Sequence, residues 1–279
     1  MARSEYQDDL PHLRRREAIG AGLRRVVREC CGRAMQRGAG APTDEAVHAA
    51  RRGLKRARAA LRLEEKLGVP DAHAARKRLS AIARELSARR DATVAAHVAR
   101  RLGLKLEGVA GRERVAAPNC VSSNGDAAWW RAWRQKLAAE DSRLPGAEGE
   151  DSSPAAVRGV LHHFAKRVCR RARRAAEKRD IGSMHEWRKA VIVLREQLHI
   201  VRPLLEAEEL CLGGKLHKLA RRLGKATDYN VLKRQVESGG DGRAVRRRLR
   251  SAAMERRGRA MRKAREKWPK VRRALRKRF

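Results

Sequence analysis

Acidic residues, aromatics and long apolar runs are all scarce in this 279-residue chain. Aromatic side chains make up 3% of it and alternating apolar and polar runs are rare, which argues against a sheet built on aromatic and β-branched positions. No stretch approaches the roughly 18 uncharged residues that a membrane-spanning helix needs. The N-terminus, MARSEYQDDLPHLRRRE, lacks the apolar core of a secretory signal, so a soluble, cytoplasmic protein is expected. The five cysteines, Cys30, Cys31, Cys120, Cys169 and Cys211, are odd in number and show no CxxC spacing. That disfavours a disulfide framework and a zinc site, and the thiols are expected to be reduced, mostly as small core residues.

The shortage of acids is the most consequential: 32 Asp and Glu face 69 Lys and Arg, a formal charge of +37. Such a chain repels itself unless a polyanion neutralises it, so the partner should be nucleic acid, an anionic membrane or an inorganic polymer of phosphate. Yet 42% of residues are apolar, recurring at helical spacing, so the chain can bury a core. Ala, Leu, Arg, Glu and Lys dominate, and the predicted fold is all-α.

Helices are expected over Leu13 to Arg37, Thr43 to Leu67, Asp71 to Arg89 and Ala92 to Leu106, with another holding Trp129, Trp130 and Trp133. The stretch from Gly108 to Gly125 and the acidic LPGAEGEDSSP from Leu144 to Pro154 read as loops. Further helices follow over Ala155 to Lys178, Met184 to Val201 and Leu210 to Leu223, then after Asp228, and finally over Arg243 to Phe279. Short connections favour antiparallel neighbours. The expected organisation is an N-terminal segment (1–12), a first bundle of about four helices (13–143), a linker (144–154) and a second bundle (155–279). The last helix carries 18 Lys or Arg against two Glu, yet Val245, Leu249, Ala252, Ala260, Ala264, Trp268, Val271 and Leu275 mark an apolar stripe that should dock on the core.

Two segments superimpose without a gap at a fixed offset of 137 residues: VHAARRGLKRARAAL from Val47 and MHEWRKAVIVLREQL from Met184. Arg51 meets Arg188, Arg58 meets Arg195, Leu86 meets Leu223 and Asp91 meets Asp228 in the same register. A duplicated unit related by a pseudo-twofold axis follows, and the most economical reason for building a His/Arg surface twice is one anionic ligand between the copies. At 100° per residue, His48, Arg51, Arg52, Lys55, Arg58 and Arg62 share about 120° of arc, opposite Val47, Ala50, Leu54, Ala57 and Leu61. Thr43 or Asp44 can cap this helix. The second copy presents His185, Arg188, Lys189, Arg195 and His199, with Ile192 and Val193 at the positions of Lys55 and Arg56. Arg84, Lys215, Lys218, Arg221 and Lys225 on the third helices can extend the lining. Asp91 and Asp228 each precede a predicted helical stretch and are read as N-caps, with a salt bridge to a basic neighbour as the alternative.

His48, Arg51, Lys55, Arg56 and Arg58, then Leu86 to Val94, MHEWRK with Arg195, and LGKATDYNVL from Leu223 resemble the CHAD domain, the conserved histidine α-helical domain. The resemblance runs from about Leu13 to the C-terminus. It implies two pseudosymmetric four-helix bundles facing each other across a basic central pore or groove. It also implies non-catalytic binding of inorganic polyphosphate, with association with polyphosphate granules as a further expectation. Arginine forks suit a ligand that offers only anionic oxygens. Histidine would add a titratable donor, so affinity should rise on mild acidification and fall with salt.

Two other classes compete. A basic nucleic-acid-binding protein fits the charge, but few aromatics are available for base stacking and no recognition motif is evident. A phosphoryl-transfer enzyme would need acidic magnesium ligands or a glycine loop with lysine; the pairs Asp8/Asp9, Glu64/Glu65 and Glu208/Glu209 look isolated on surfaces. No cofactor or metal is called for, and the oligomeric state is left open.

Overall fold

The computed structural model describes residues 10–36, 42–101, 124–144, 152–238 and 243–279. All regular structure among them is helical: α1 (Ile19–Met35), α2 (Asp44–Lys66), α3 (Ala72–Arg101), α4 (Asn124–Ser142), α5 (Pro154–Lys178), α6 (Ile181–Ile200), α7 (Ala207–Ser238) and α8 (Arg243–Arg278), with one 3₁₀ turn at Arg202–Leu204. Helices α1 to α4 form a closed set, α1 on α2, α2 on α3, α3 on α4 and α4 back on α1. The later helices pack in series, α5 on α6, α6 on α7 and α7 on α8, but α5 and α8 barely touch. The two sets meet through α2 on α6 and α3 on α7, with a smaller contact of α2 with α5.

Local chemistry sets several boundaries. The Thr43 hydroxyl accepts from the Ala46 amide at 3.1 Å, capping α2 as its sequence requires. Ser153 and Asp180 cap α5 and α6 in the same way, and Arg179, at φ 52°, ends α5 in the left-handed region. Helix α1 starts six residues later than its periodicity predicts. Arg16 has φ 64°, which interrupts any helix there, and the Leu13 amide donates to Ile200 O of α6 at 2.8 Å. The chain before α1 is thereby tied to the second set of helices.

The predicted breaks at Asp91 and Asp228 do not occur. Helices α3 and α7 run straight through both residues, so neither aspartate is an N-cap. Neither junction contains proline to remove an amide donor, and Thr227, in mid-helix, turns its hydroxyl back to Leu223 O at 3.0 Å. The Asp91 side chain, Cys120, the pair Asp8/Asp9 and most of the two expected loops lie outside the described residues.

One contiguous core joins both sets. Trp130 and Trp133 stack at 4.8 Å between α1, α3 and α4, and Trp133 Nε1 donates to Ile82 O at 3.1 Å. The expected stripe of α8 is buried at Leu249, Ala260, Ala264, Val271 and Leu275. Cys30 and Cys31 are core thiols, and burial pushes Cys30 up to about 12; Cys211 is exposed and Cys169 half-buried. Not all the acidic pairs lie on the surface. Glu64 is buried beside Arg24, and burial pushes its carboxyl up to about 7 against the pull of that arginine. Glu209 is buried too, accepting from the Glu206 amide at the start of α7 and pairing with Arg158.

Helices α1 and α2 approach so closely at Gly53 that a Cβ there would meet Cys30 O at 2.8 Å. Gly53→Ala is therefore expected to cost about 1–3 kcal/mol in urea unfolding. Gly159→Ala, with nothing within 4 Å of the new Cβ, should instead stabilise by about 0.5–1 kcal/mol. Equal effects of the two substitutions would contradict the helix contact.

Candidate anion-binding surface

The contact of α2 with α6 is built around one carboxylate. Glu196 on α6 accepts through Oε2 from Arg56 Nε at 3.1 Å and Arg56 Nη2 at 2.9 Å, and through Oε1 from Arg195 Nη2. Arg56 also donates through Nη1 to Pro11 O at 3.3 Å. Burial alone would raise the Glu196 carboxyl, but Arg195 and Arg56 hold it at about 2. Arg56 is 1% exposed, so it is not among the cations presented to solvent and differs in role from the others on its helix. At the repeat offset, Arg56 corresponds to Val193 and Glu196 to the buried Ala59. The ion pair thus occupies positions that are apolar in the opposite copy, and it makes the junction asymmetric.

Two groups of cations accompany this pair, one on α2 and one on α6. Toward the C-terminal end of α2, Arg58 and Arg62 both feel the charge of Arg76 of α3, and Arg62 also that of Arg167 of α5. Burial, then repulsion from Arg76, Arg58 and Arg167, lowers Arg62 to about 10, only partly countered by Glu65. Arg58 is lowered by burial and by Arg76. Both fold back on their helix, Arg58 Nε donating to Leu54 O at 3.1 Å and Arg62 Nη1 to Arg58 O at 3.0 Å. Glu65, the nearest acid, is engaged by Arg76 Nε and His73, each at 2.8 Å. Lys66 and Arg170 extend the field, and with burial and Arg167 they hold His163 below its usual range.

The counterpart of Arg58 on α6 is Arg195, and it too meets a neighbouring helix. Its Nη1 lies 3.4 Å from His217 Nδ1 of α7, and His217 is lowered first by burial and then by Arg195 and Arg221. Arg188 lies against the α7 backbone at Gly224, where a Cβ would sit 3.4 Å from its Nη2. A side chain at this position would bring its Cβ only into van der Waals contact with the guanidinium. His199 departs from expectation: burial and Arg56 push it down to about 4, so it is neutral at mildly acidic pH and adds no charge to the ligand-free surface there.

The remaining expected residues are distributed as follows. His48 is exposed near the start of α2, while Arg51, Arg52 and Lys55 are half-buried along it. His185 is half-buried near the start of α6, and Lys189 is exposed and paired with Glu186 at 2.8 Å. Arg84 is exposed on α3; Lys215, Lys218 and Arg221 are exposed on α7, with Lys225 half-buried. Arg76, Arg167, Lys66 and Arg170 were not anticipated. They lie outside the aligned histidine motifs, and only packing brings them to Arg62.

These paired cationic groups at a duplicated helix junction can be set beside known proteins. The CHAD domain family model matches residues 25–211. The chain belongs to the CHAD domain family. The crystal structure of the CHAD domain from the plant Ricinus communis is similar at 20% identity with a TM-score of 0.55, over 92% of this chain and 90% of that one. That likeness shows a shared helical fold. No curated protein matches the chain. Among the described residues, no helix is long and apolar enough to cross a membrane.

Arg56→Val or Glu196→Ala alone should cost about 3–5 kcal/mol, because each leaves a buried charge unpaired. The double variant copies the residues of the opposite repeat and should recover most of that loss. Glu196 is depressed, so its contribution is present above the ordinary carboxyl range and is lost as pH falls toward 2. Urea unfolding at pH 7 and in acid checks both points; additive losses in the double variant would show that the two side chains do not act as a pair.

Proposed function

We propose that this CHAD domain binds inorganic polyphosphate without turning it over, along the surface that joins α2, α3 and α5 to α6 and α7. The carrying observation is Arg62, half-buried among Arg58, Arg76 and Arg167 and lowered to about 10. A guanidinium desolvated among like charges raises the energy of the ligand-free state. Anionic oxygens entering the cluster would relieve that repulsion and accept charge-assisted hydrogen bonds from several arginines at once. Arg195, held on one side by Glu196, and the exposed Arg221 offer further donors beside His217 in the other half of the chain. A polymer with a charge on every unit can engage both, whereas a single phosphate engages one.

Nucleic acid satisfies the same charge, but base recognition adds stacking on aromatic surfaces. Trp130 and Trp133 are 0% and 1% exposed in the core, which removes two of the five tryptophans from that use. Binding rather than catalysis fits the acids near the clusters. Glu65 and Glu196 are each held by two basic side chains, leaving them poorly placed to ligate magnesium for phosphoryl transfer. Association with polyphosphate granules in the cytoplasm would follow from this reading.

Polyphosphate of medium length should displace labelled DNA at much lower charge concentration than DNA displaces labelled polyphosphate. Equal displacement would favour the nucleic-acid reading, and sustained release of orthophosphate with magnesium would overturn binding without turnover. Arg51→Ala with Arg188→Ala is expected to weaken polyphosphate binding by roughly 10²- to 10⁴-fold, taking about 1.5–3 kcal/mol for each of the two charged hydrogen bonds lost. Arg256→Ala with Arg273→Ala on exposed α8 positions should cost far less; comparable losses in calorimetric titrations would reduce recognition to net charge.

A further inference from the structure

Between α5 and α8 lies a groove whose aromatic end the polyphosphate reading does not use. One cavity of about 340 Å³ is walled by Ala172 of α5, Trp187 of α6, and Met261 and Trp268 of α8. A second, of about 410 Å³, shares Cys169, Arg173 and Arg276 with the first and continues toward Leu275 and Phe279. Trp187 and Trp268 meet edge to face at 5.4 Å and 80°, giving the first cavity an aromatic wall. Pro269, following Trp268, has no amide hydrogen, so the helical turn at this wall lacks one backbone bond.

The polar groups around this apolar space are of one kind. Arg173 on α5 and Arg265, Arg272 and Arg276 on α8 line the first cavity, and none of the residues lining either cavity is an acid. Burial raises the Cys169 thiol while Arg272, Arg276 and Arg173 pull it back, so guanidiniums from two helices converge on one sulfur. Trp187 is 3% exposed and its indole N–H has no acceptor in the protein. A lining with many donors, no carboxylate and a largely apolar wall is complementary to a molecule with anionic oxygens at one end and an apolar body at the other. It is poorly matched to polyphosphate, which has no apolar part.

We propose that the α5/α8 groove is a binding site for a small organic anion, its apolar body against Trp187 and Trp268 and its carboxylate or phosphate head on the arginine rim. The first cavity shares no lining residue with the cation groups at α2 and α6, and only Arg170 borders both the second cavity and the field around Arg62, so the two sites can be tested apart at the first cavity. The direct experiment is calorimetric titration of the full chain with 1-naphthyl phosphate and with dodecanoate, repeated in the presence of inorganic tripolyphosphate. Binding of either at one site, resistant to tripolyphosphate of equal charge concentration, is the expected result. The stronger of the two probes tells whether a ring or an alkyl chain fills the cavity. Ala176→Leu, an exposed helical position that lines the first cavity, should fill it and weaken binding by about tenfold or more while leaving polyphosphate affinity unchanged. Alkylation of Cys169, followed by peptide mapping, should slow in the bound state while that of exposed Cys211 does not. Failure of both probes to bind, equal displacement by tripolyphosphate, or unaltered binding in Ala176→Leu would overturn the proposal.

Discussion

Glu196 accepts from Arg195 of its own helix and from Arg56 of the other half, and this shared carboxylate is the constraint around which the molecule is arranged. In a chain of charge +37, bringing two basic helices together is opposed at every step by repulsion. One buried acid between two arginines turns the point of closest approach into an attraction. The equivalent positions in the repeat, Ala59 for Glu196 and Val193 for Arg56, are apolar, so the junction buries one ion pair where a symmetric arrangement would bury two or none.

The same economy of acids governs the rest of the structure. Glu17 holds Arg25, Glu64 lies beside Arg24, Glu140 accepts from Arg78, and Glu65 holds Arg76. Each fixes a helix to a neighbouring segment. No such acid answers Arg62 in full: Glu65 offsets part of its burden and is already bound by Arg76 and His73. The folded protein therefore retains desolvated positive charge, the physical basis for reading that end of α2 as a place for an anion. On the proposed reading, an anion bound here would gain from relief of repulsion in the ligand-free protein as well as from the hydrogen bonds it forms.

Much of this was legible in the sequence. The 3.6-residue spacing of Leu54, Ala57 and Leu61 located the packed face of α2, Thr43 announced its cap, and the offset of 137 residues brought the two histidine segments into register. Junctions without proline were misread as helix breaks at Asp91 and Asp228, because a possible cap, or the single Gly224, is no more than an option when the backbone can continue. Arg56 was hidden for another reason. It stands among cations on its helix, and only a partner 140 residues away decides that it is core. Arg76 and Arg167 belong to no repeated motif, and convergence from three helices leaves no mark in local periodicity. The lowered histidine at position 199 likewise depends on burial beside Arg56.

A crystal structure with a short polyphosphate of defined length tests the central claim most directly. The chain of phosphates should lie within hydrogen-bonding distance of Arg58, Arg62, Arg76 and Arg167 at one end and reach Arg195 and Arg221 at the other, crossing above the buried Arg56–Glu196 pair. Density confined to the exposed arginines of α8, with the cluster around Arg62 empty, would contradict it.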